Sequence, residues 1–295
     1  PRVSPSLPSS NGSPFSRLFS DPVGVDPYTS AVSDVYQDLT GAGSYHGKGI
    51  YDVRTFSKVL SGRFPDGLLL SHDLIEGAHV RVGLASDIEL YDEFPQDYVS
   101  YAKRQHRWIR GDWQIAYWIL PRVPLNRGGW GANPLLWFDR WKIFDNLRRS
   151  WLAAASLGLL MASWLISPRA GEIATAVIAT QLFFHSLAQP VTWATTGRGL
   201  RGVSFSKKTY DLIRALVEAS LLPYQAWISL DAIMLALYRK HVSHRGCLEW
   251  RSAQTMHEVT GAKVSPAFRQ AGLFLFSLGS ASLFSVIIGL TVQHF

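Results

Sequence analysis

The chain has 295 residues and a formal charge of +7; 47% of it is hydrophobic and 17% charged, against roughly 25% charged in an average soluble domain. The single cysteine, Cys247, excludes an internal disulfide framework and offers no metal-binding spacing. A mean hydropathy near zero excludes a pure bundle of membrane spans, while the basic balance suits nucleic acid, anionic lipid or a phosphorylated substrate.

In chain order, the opening "PRVSPSLPSSNGSPFSRLFSDP" holds no basic-then-apolar signal sequence, and a start on Pro1 without Met is expected of a fragment or processed product. Residues 1–97 alternate charged and turn residues with short apolar runs, the pattern of a soluble α/β domain. Within them "HGKGIYD", His46–Asp52, sets Gly47 and Gly49 around Lys48. Such a loop lets backbone approach a ligand closely, and it equally suits an ordinary turn. Further on, "GLLL" at Gly67–Leu70 reads as a short strand, followed by Ser71, His72, Asp73 and Glu76. A helix starting after Ser71 places Asp73 in its first turn, where the helix dipole favours an anion. A carboxylate at the carboxyl end of a strand is where open α/β sheets place working groups. The plainer alternative is that Asp73 and Glu76 only stabilise the helix start.

Residues 98–150 predict interfacial amphipathic helices. In "RQHRWIRGDWQIAYWILP", Arg104–Pro121, helical spacing aligns Lys103, Arg104, Arg107 and Arg110 in one cationic stripe. Tyr101, Trp108, Ile109, Trp113, Ala116 and Leu120 cover the rest of the surface. That is the pattern of a helix in the headgroup plane, with Trp113 and Trp118 as anchors. So large an apolar face argues against nucleic acid as a partner. Residues 151–295 form a helical membrane region, with spans predicted at 151–167, 173–194 and 271–292. Residues 210–238 carry Asp211, Arg214, Glu218 and Asp231, with Pro223 in the middle. Charges at bilayer depth are expensive, and the basic segments on both sides of this stretch favour one cytoplasmic face. The expectation is a pair of broken interfacial helices there, and three spans in all. His241 and His244 read as basic loop residues, and the chain has no zinc spacing, nucleophile elbow or P-loop.

The order of these features (α/β region, strand-end acid, Arg-Trp helix, spans) resembles the processive membrane glycosyltransferases of the cellulose-synthase type. Five strings, "SDVYQDLTGAGSYHGKGIYDV", "GRFPDGLLLSHDLIEG", "HRWIRGDWQ", "WKIFDNLRRS" and "CLEW", more specifically resemble the glucosyltransferase region of bacterial cyclic β-1,2-glucan synthases. The resemblance implies a partial GT-A-like α/β domain over 1–97, with Asp73 as catalytic base. It implies sugar and diphosphate contacts at Trp108 and Arg107, and a donor–acceptor junction near Gly47, Lys48 and Gly49. Two positions depart from the wider pattern: Arg104 stands where a Gln is expected, and His72 where a Glu is expected. The implied partners are UDP-glucose, a growing glucan, the lipid bilayer and the missing parts of the same enzyme on either side. The implied location is the bacterial inner membrane, with the N-terminal part cytosolic. A Mg2+ or Mn2+ ion is implied too, but its Asp-x-Asp motif does not occur in these 295 residues, so no metal ligand is assigned. The chain alone is accordingly expected to be inactive. Two readings of other classes compete: a basic membrane scaffold that grips anionic lipid, and a transporter fragment using Asp211, Glu218 and Asp231.

Overall fold

The computed structural model describes residues 1–20, 34–70, 73–126, 128–184 and 205–249, with side chains of the last stretch from residue 209 onward. The elements are β1 (Arg2–Pro5), α1 (Leu7–Asn11), α2 (Pro14–Phe19), α3 (Val35–Thr40), α4 (Val53–Leu60), α5 (Asp73–Val80), β2 (Glu89–Asp92) and α6 (Tyr98–Gln114). A short 3-10 turn at Ala116–Ile119 leads to β3 (Arg122–Pro124) and β4 (Trp130–Ala132). Three long helices follow: α7 (Trp137–Ile166), α8 (Pro168–Leu182) and α9 (Phe205–Tyr238), the last continued by a π-helical turn at Arg239–Ser243. The described residues are thus mostly helical. The expected α/β character is limited to the parallel pair β1–β2, in register from Arg2↔Glu89 to Pro5↔Asp92, and the antiparallel pair β3–β4.

Local chemistry sets the helix starts. Side chains of Ser6, Ser13, Asp34, Asp52, Asp97 and Ser167 each accept the backbone N–H three residues on, satisfying a donor that has no partner inside the helix. Asp52, the last residue of "HGKGIYD", is therefore a helix cap for α4. Chain packing divides the described residues into two compact units: those within 1–150 together with 231–249, and those within 151–230.

In the first unit the core gathers Leu69, Ile75, Ile115, Trp118, Val123, Leu135 and Ile143. Trp118 is 1% exposed, so it is a core residue and not the membrane anchor expected of it. Its position in a tight 3-10 turn, outside the helix, turns it away from the face that helical spacing assigned. A second cluster packs Ile109 and Trp113 of α6 against Ala232, Ile233 and Leu237 of α9, and Trp113 donates Nε1–H to Ser150 Oγ at 3.0 Å. The apolar face of α6 that reads as lipid-facing is covered here by protein. "GLLL" forms no strand: the Leu70 N–H goes to the side-chain oxygen of Gln114 at 2.6 Å in place of a strand partner.

In the second unit, Trp164 lies directly over Gly171, where any Cβ would strike the indole, and its Nε1–H donates to Thr175 Oγ1 at 3.1 Å. Residues 210–238 form one continuous helix through Pro223, not two broken ones. Arg214 pairs along the helix with Glu218 at 2.9 Å, which lowers the penalty of carrying both charges on an apolar helix. Proline within a long apolar helix is tolerated where neighbours re-satisfy the freed backbone groups. Two helices are long and apolar enough to cross a membrane, Trp137–Ile166 and Thr209–Ser243. The first includes most of the span expected at 151–167. The span expected at 173–194 coincides with α8 up to Leu182 and runs beyond the described residues, and that at 271–292 lies wholly outside them.

Trp118→Ala is expected to destabilise the first unit by about 3–5 kcal/mol, the usual cost of emptying an aromatic site in a core. The check is denaturant unfolding of the detergent-solubilised chain, and an unchanged midpoint would contradict the core assignment.

Candidate active site

The site grows from α5. Its residue Ile75 is fully buried, which fixes the helix on the core and leaves Asp73 and Glu76 in the first turn. The segment Gly43–Gly47 runs along α5 in the opposite direction. Gly43 N–H donates to Val82 O at 2.7 Å just past the far end of the helix. Tyr45 then crosses Gly77 so closely that a Cβ there would lie 2.6 Å from Tyr45 Cβ. Gly47, at φ +76, reaches the first turn, where a Cβ would lie 2.9 Å from Asp73 Oδ2. A side chain at Gly47 would therefore meet both a forbidden backbone conformation and the carboxylate itself.

The loop is fixed from both sides. Upstream, Lys142 of α7, itself buried, donates from Nζ to Gly43 O at 3.1 Å and sits 4.7 Å from the centroid of the Tyr36 ring. Downstream, Lys48 forms an ion pair with Asp92 at the carboxyl end of β2. Gly49 lies under the edge of the Tyr45 ring, where a Cβ would be 3.2 Å from Tyr45 Cε2.

Helix α6 supplies the cations. Arg104 lies within a box of rings, with Cζ 5.1 Å from the centroid of Phe94, 5.7 Å from Tyr101 and 4.9 Å from Trp108. One face of Trp108 thus carries a guanidinium, a cation–π arrangement. The Nε of Arg104 is buried with no hydrogen-bond acceptor among the described residues. Burial lowers the Arg104 pKa, Tyr101 and Asp92 oppose the shift, and neighbouring Arg107 adds to it. Burial also lowers the Arg107 pKa, and here the opposing charge is Asp73. Asp92 is held below the ordinary carboxylate range: burial works the other way, but hydrogen bonding and charge from Lys48, with help from Arg104, outweigh it. The Tyr45 hydroxyl is raised by burial and then by Tyr51, Glu76 and Asp73.

Of the residues singled out from sequence, the structure brings Asp73 against Gly47 and within electrostatic reach of Arg107. It links Lys48 to Asp92, Asp92 to Arg104, and Arg104 to Trp108. His72 lies outside the described residues. Four participants were missed: Asp92, Tyr45, Lys142 and Gln114. Asp92 had a sequence signal, since it closes the short mixed run "IELYD", Ile88–Asp92, which has the length of a strand. Arg110, read as part of an exposed stripe, is buried and donates to Glu249 O at 2.7 Å.

Chemically, the arrangement offers two carboxylates, Asp73 and Glu76, in the first turn of a helix seated on the core, with the Arg107 charge acting on Asp73 and a lysine–aspartate pair beside the adjoining loop. Among the described residues no three His, Cys, Asp or Glu side chains converge as a metal-binding group, so the ion implied by the resemblance finds no ligand set here.

No family model matches the chain. Its sequence is 36% identical over 296 residues to cyclic β-(1,2)-glucan synthase NdvB of Rhizobium meliloti (strain 1021), a match that covers 96% of this chain and 10% of that protein. The chain therefore spans about a tenth of the length of the curated relative it matches. It is a homologue of cyclic β-(1,2)-glucan synthase, covering one part of that protein.

Proposed function

We propose that this chain is the acceptor-side part of a membrane-bound, inverting glucosyltransferase that extends a β-1,2-glucan from UDP-glucose. The observation that carries the reading is the Gly47 bend pressed against the Asp73 carboxylate, with Arg107 of α6 within reach of the same group. The homology to a glucan synthase supports the same class of chemistry, and the two long apolar helices support a membrane location.

In this mechanism an acceptor hydroxyl attacks the anomeric carbon of the donor glucose while Asp73 takes the hydroxyl proton. The new glycosidic C–O bond forms as the bond to UDP breaks, and the bonding electron pair leaves with the diphosphate. A general base must stand within about 3 Å of the proton it removes, directly or through one water. The absent Cβ at Gly47 keeps that space open beside Oδ2. In this reading the Arg107 guanidinium would meet the charge gathering on the leaving diphosphate. Trp108, stiffened by Arg104 on one ring face, would present the other to a sugar. Metal chemistry enters no step here, because the described residues of this chain hold no ligand set for it.

Two variants of the full-length gene product test the reading, assayed as glucose incorporation from UDP-glucose by isolated membranes. Asp73→Asn is expected to lower the rate about 10²–10⁴-fold, the usual worth of a general base, with normal membrane insertion. Unchanged synthesis would sink the proposed role.

Gly47→Ala is expected to lower the rate by about 100-fold, as misplacing a catalytic group commonly does. Its comparison is Gly41→Ala, which adopts the same kind of backbone, φ +73, with nothing within 4 Å of the added Cβ. That variant should lose stability yet keep its rate per folded molecule. Equal losses of rate in the two would show that backbone strain, not contact with Asp73, is responsible.

A further inference from the structure

We infer that Gln114, the last residue of α6, is a positioning residue that sets Asp73 through the backbone of Leu70; this rests on the glucosyltransferase reading above. Gln114 is 2% exposed, and both ends of its side-chain amide are used. Oε1 accepts the Leu70 N–H at 2.6 Å, three residues before Asp73. Nε2 donates to Cys247 O at 3.0 Å. Its own backbone carbonyl, at the helix end, accepts from Lys240 Nζ.

The need for such a contact follows from the missing strand. Leu68–Leu70 is apolar and Leu69 is buried in the core, yet the segment has no sheet partner among the described residues. A backbone N–H partly shielded from water is costly to leave without an acceptor, and the half-buried Leu70 amide is given one. Gln114 provides it from a helix whose neighbouring residues, Ile109 and Trp113, are packed on α9. The backbone at Leu70 is thereby held by a side chain and not, among the described residues, by a β-ladder.

The donor end gives the second half of the device. Cys247 follows a turn closed by Arg239, which donates to Gly246 O at 2.8 Å and pairs with Glu249 Oε2 at 2.5 Å. Arg110, one helical turn before Gln114, donates to Glu249 O. The segment Gly246–Glu249 is thus bonded to α6 at two points. A neutral amide accepts from Leu70 through its oxygen and donates to Cys247 through its nitrogen, two separate atoms at the end of one side chain. A carboxylate at this position keeps the first bond and loses the second; an aliphatic side chain loses both.

The test compares Gln114→Glu and Gln114→Leu in membranes carrying the full-length gene product, alongside hydrogen exchange of the detergent-solubilised protein. Gln114→Leu is expected to lower kcat by about 10- to 100-fold with KM for UDP-glucose within about twofold, because positioning is lost and donor binding is not. Peptides containing Leu70 should exchange faster. Gln114→Glu should keep Leu70 protected and lie closer to wild type in kcat, while peptides containing Cys247 exchange faster. Two results would overturn the inference: wild-type kcat in Gln114→Leu, or equal kcat loss in both variants with Leu70 protected in Gln114→Glu. If wild type itself transfers no glucose, the glucosyltransferase reading fails separately, and the exchange of Leu70 still decides whether Gln114 holds that segment.

Discussion

The constraint on which the rest of the first unit depends is the burial of α5 on the core with its first turn left polar. Ile75 is sealed beneath the helix, and that fixes its rotation; Asp73, two residues earlier, then has nowhere to turn but toward the Gly43–Gly47 segment. Once the helix is fixed, the loop has little freedom. It must pass Gly77 within contact distance of Tyr45 and arrive at Asp73 with no side chain of its own. The two glycines do different work: Gly77 lets the loop approach the helix, and Gly47 lets the backbone bend over the carboxylate. Each removes a Cβ from a place where real Cβ atoms cannot stand.

How far the sequence disclosed this differs by element. Asp73 in the first turn of a helix was legible, because a short apolar run followed by Ser, His and Asp is a local signal and helix starts are governed locally. The helix carrying Arg107 and Trp108 was legible for the same reason. What the sequence could not disclose is which partner covers a given face. The Ile109 and Trp113 side of α6 reads as lipid-facing because apolar periodicity reports that something apolar lies opposite, and the partner, α9, begins about a hundred residues later. Trp118 was misread because the helix ends at Gln114, and a 3-10 turn changes the direction of every side chain after it. "GLLL" was misread because its hydrogen-bond acceptor is a glutamine side chain 44 residues away, which no window of local sequence contains. Residues 210–238 were broken on paper at Pro223, yet a long apolar helix keeps its other hydrogen bonds and stays continuous.

The electrostatics of the site follow a division between paired and poised groups. Asp92 is neutralised by Lys48, and burial fails to raise its pKa against that pairing. This ion pair is partly exposed, so its direct contribution to stability is small. Its structural effect is larger than its energy: it joins the end of a parallel strand to the loop that covers Asp73. Arg104 is a different case, a guanidinium whose Nε is shielded from water and that lies amid aromatic rings. Replacing a glutamine-type residue by arginine at this place exchanges a hydrogen-bonding amide for a cation that rigidifies Trp108 through its ring face.

These pieces place the arginine–tryptophan pair in a sharper role than cation plus anchor. A helix built only to lie on a membrane would bury its tryptophans in lipid and leave its arginines free. Here Ile109, Arg110, Trp113 and Gln114 are spent on protein contacts, Arg104 lies over the Trp108 ring, and the charges of Arg104 and Arg107 act on Asp92 and Asp73 respectively. Gln114 stands seven residues after Arg107 and so shares its side of the helix, beside Arg110, whose guanidinium is spent on Glu249 O. Because the same helix also holds the Leu70 backbone through Gln114, a shift of α6 would move the base and the cations together. Under the proposed mechanism, those ties would hold Asp73 and the arginines within one group of contacts, as a reaction that separates charge between a base and a leaving group requires.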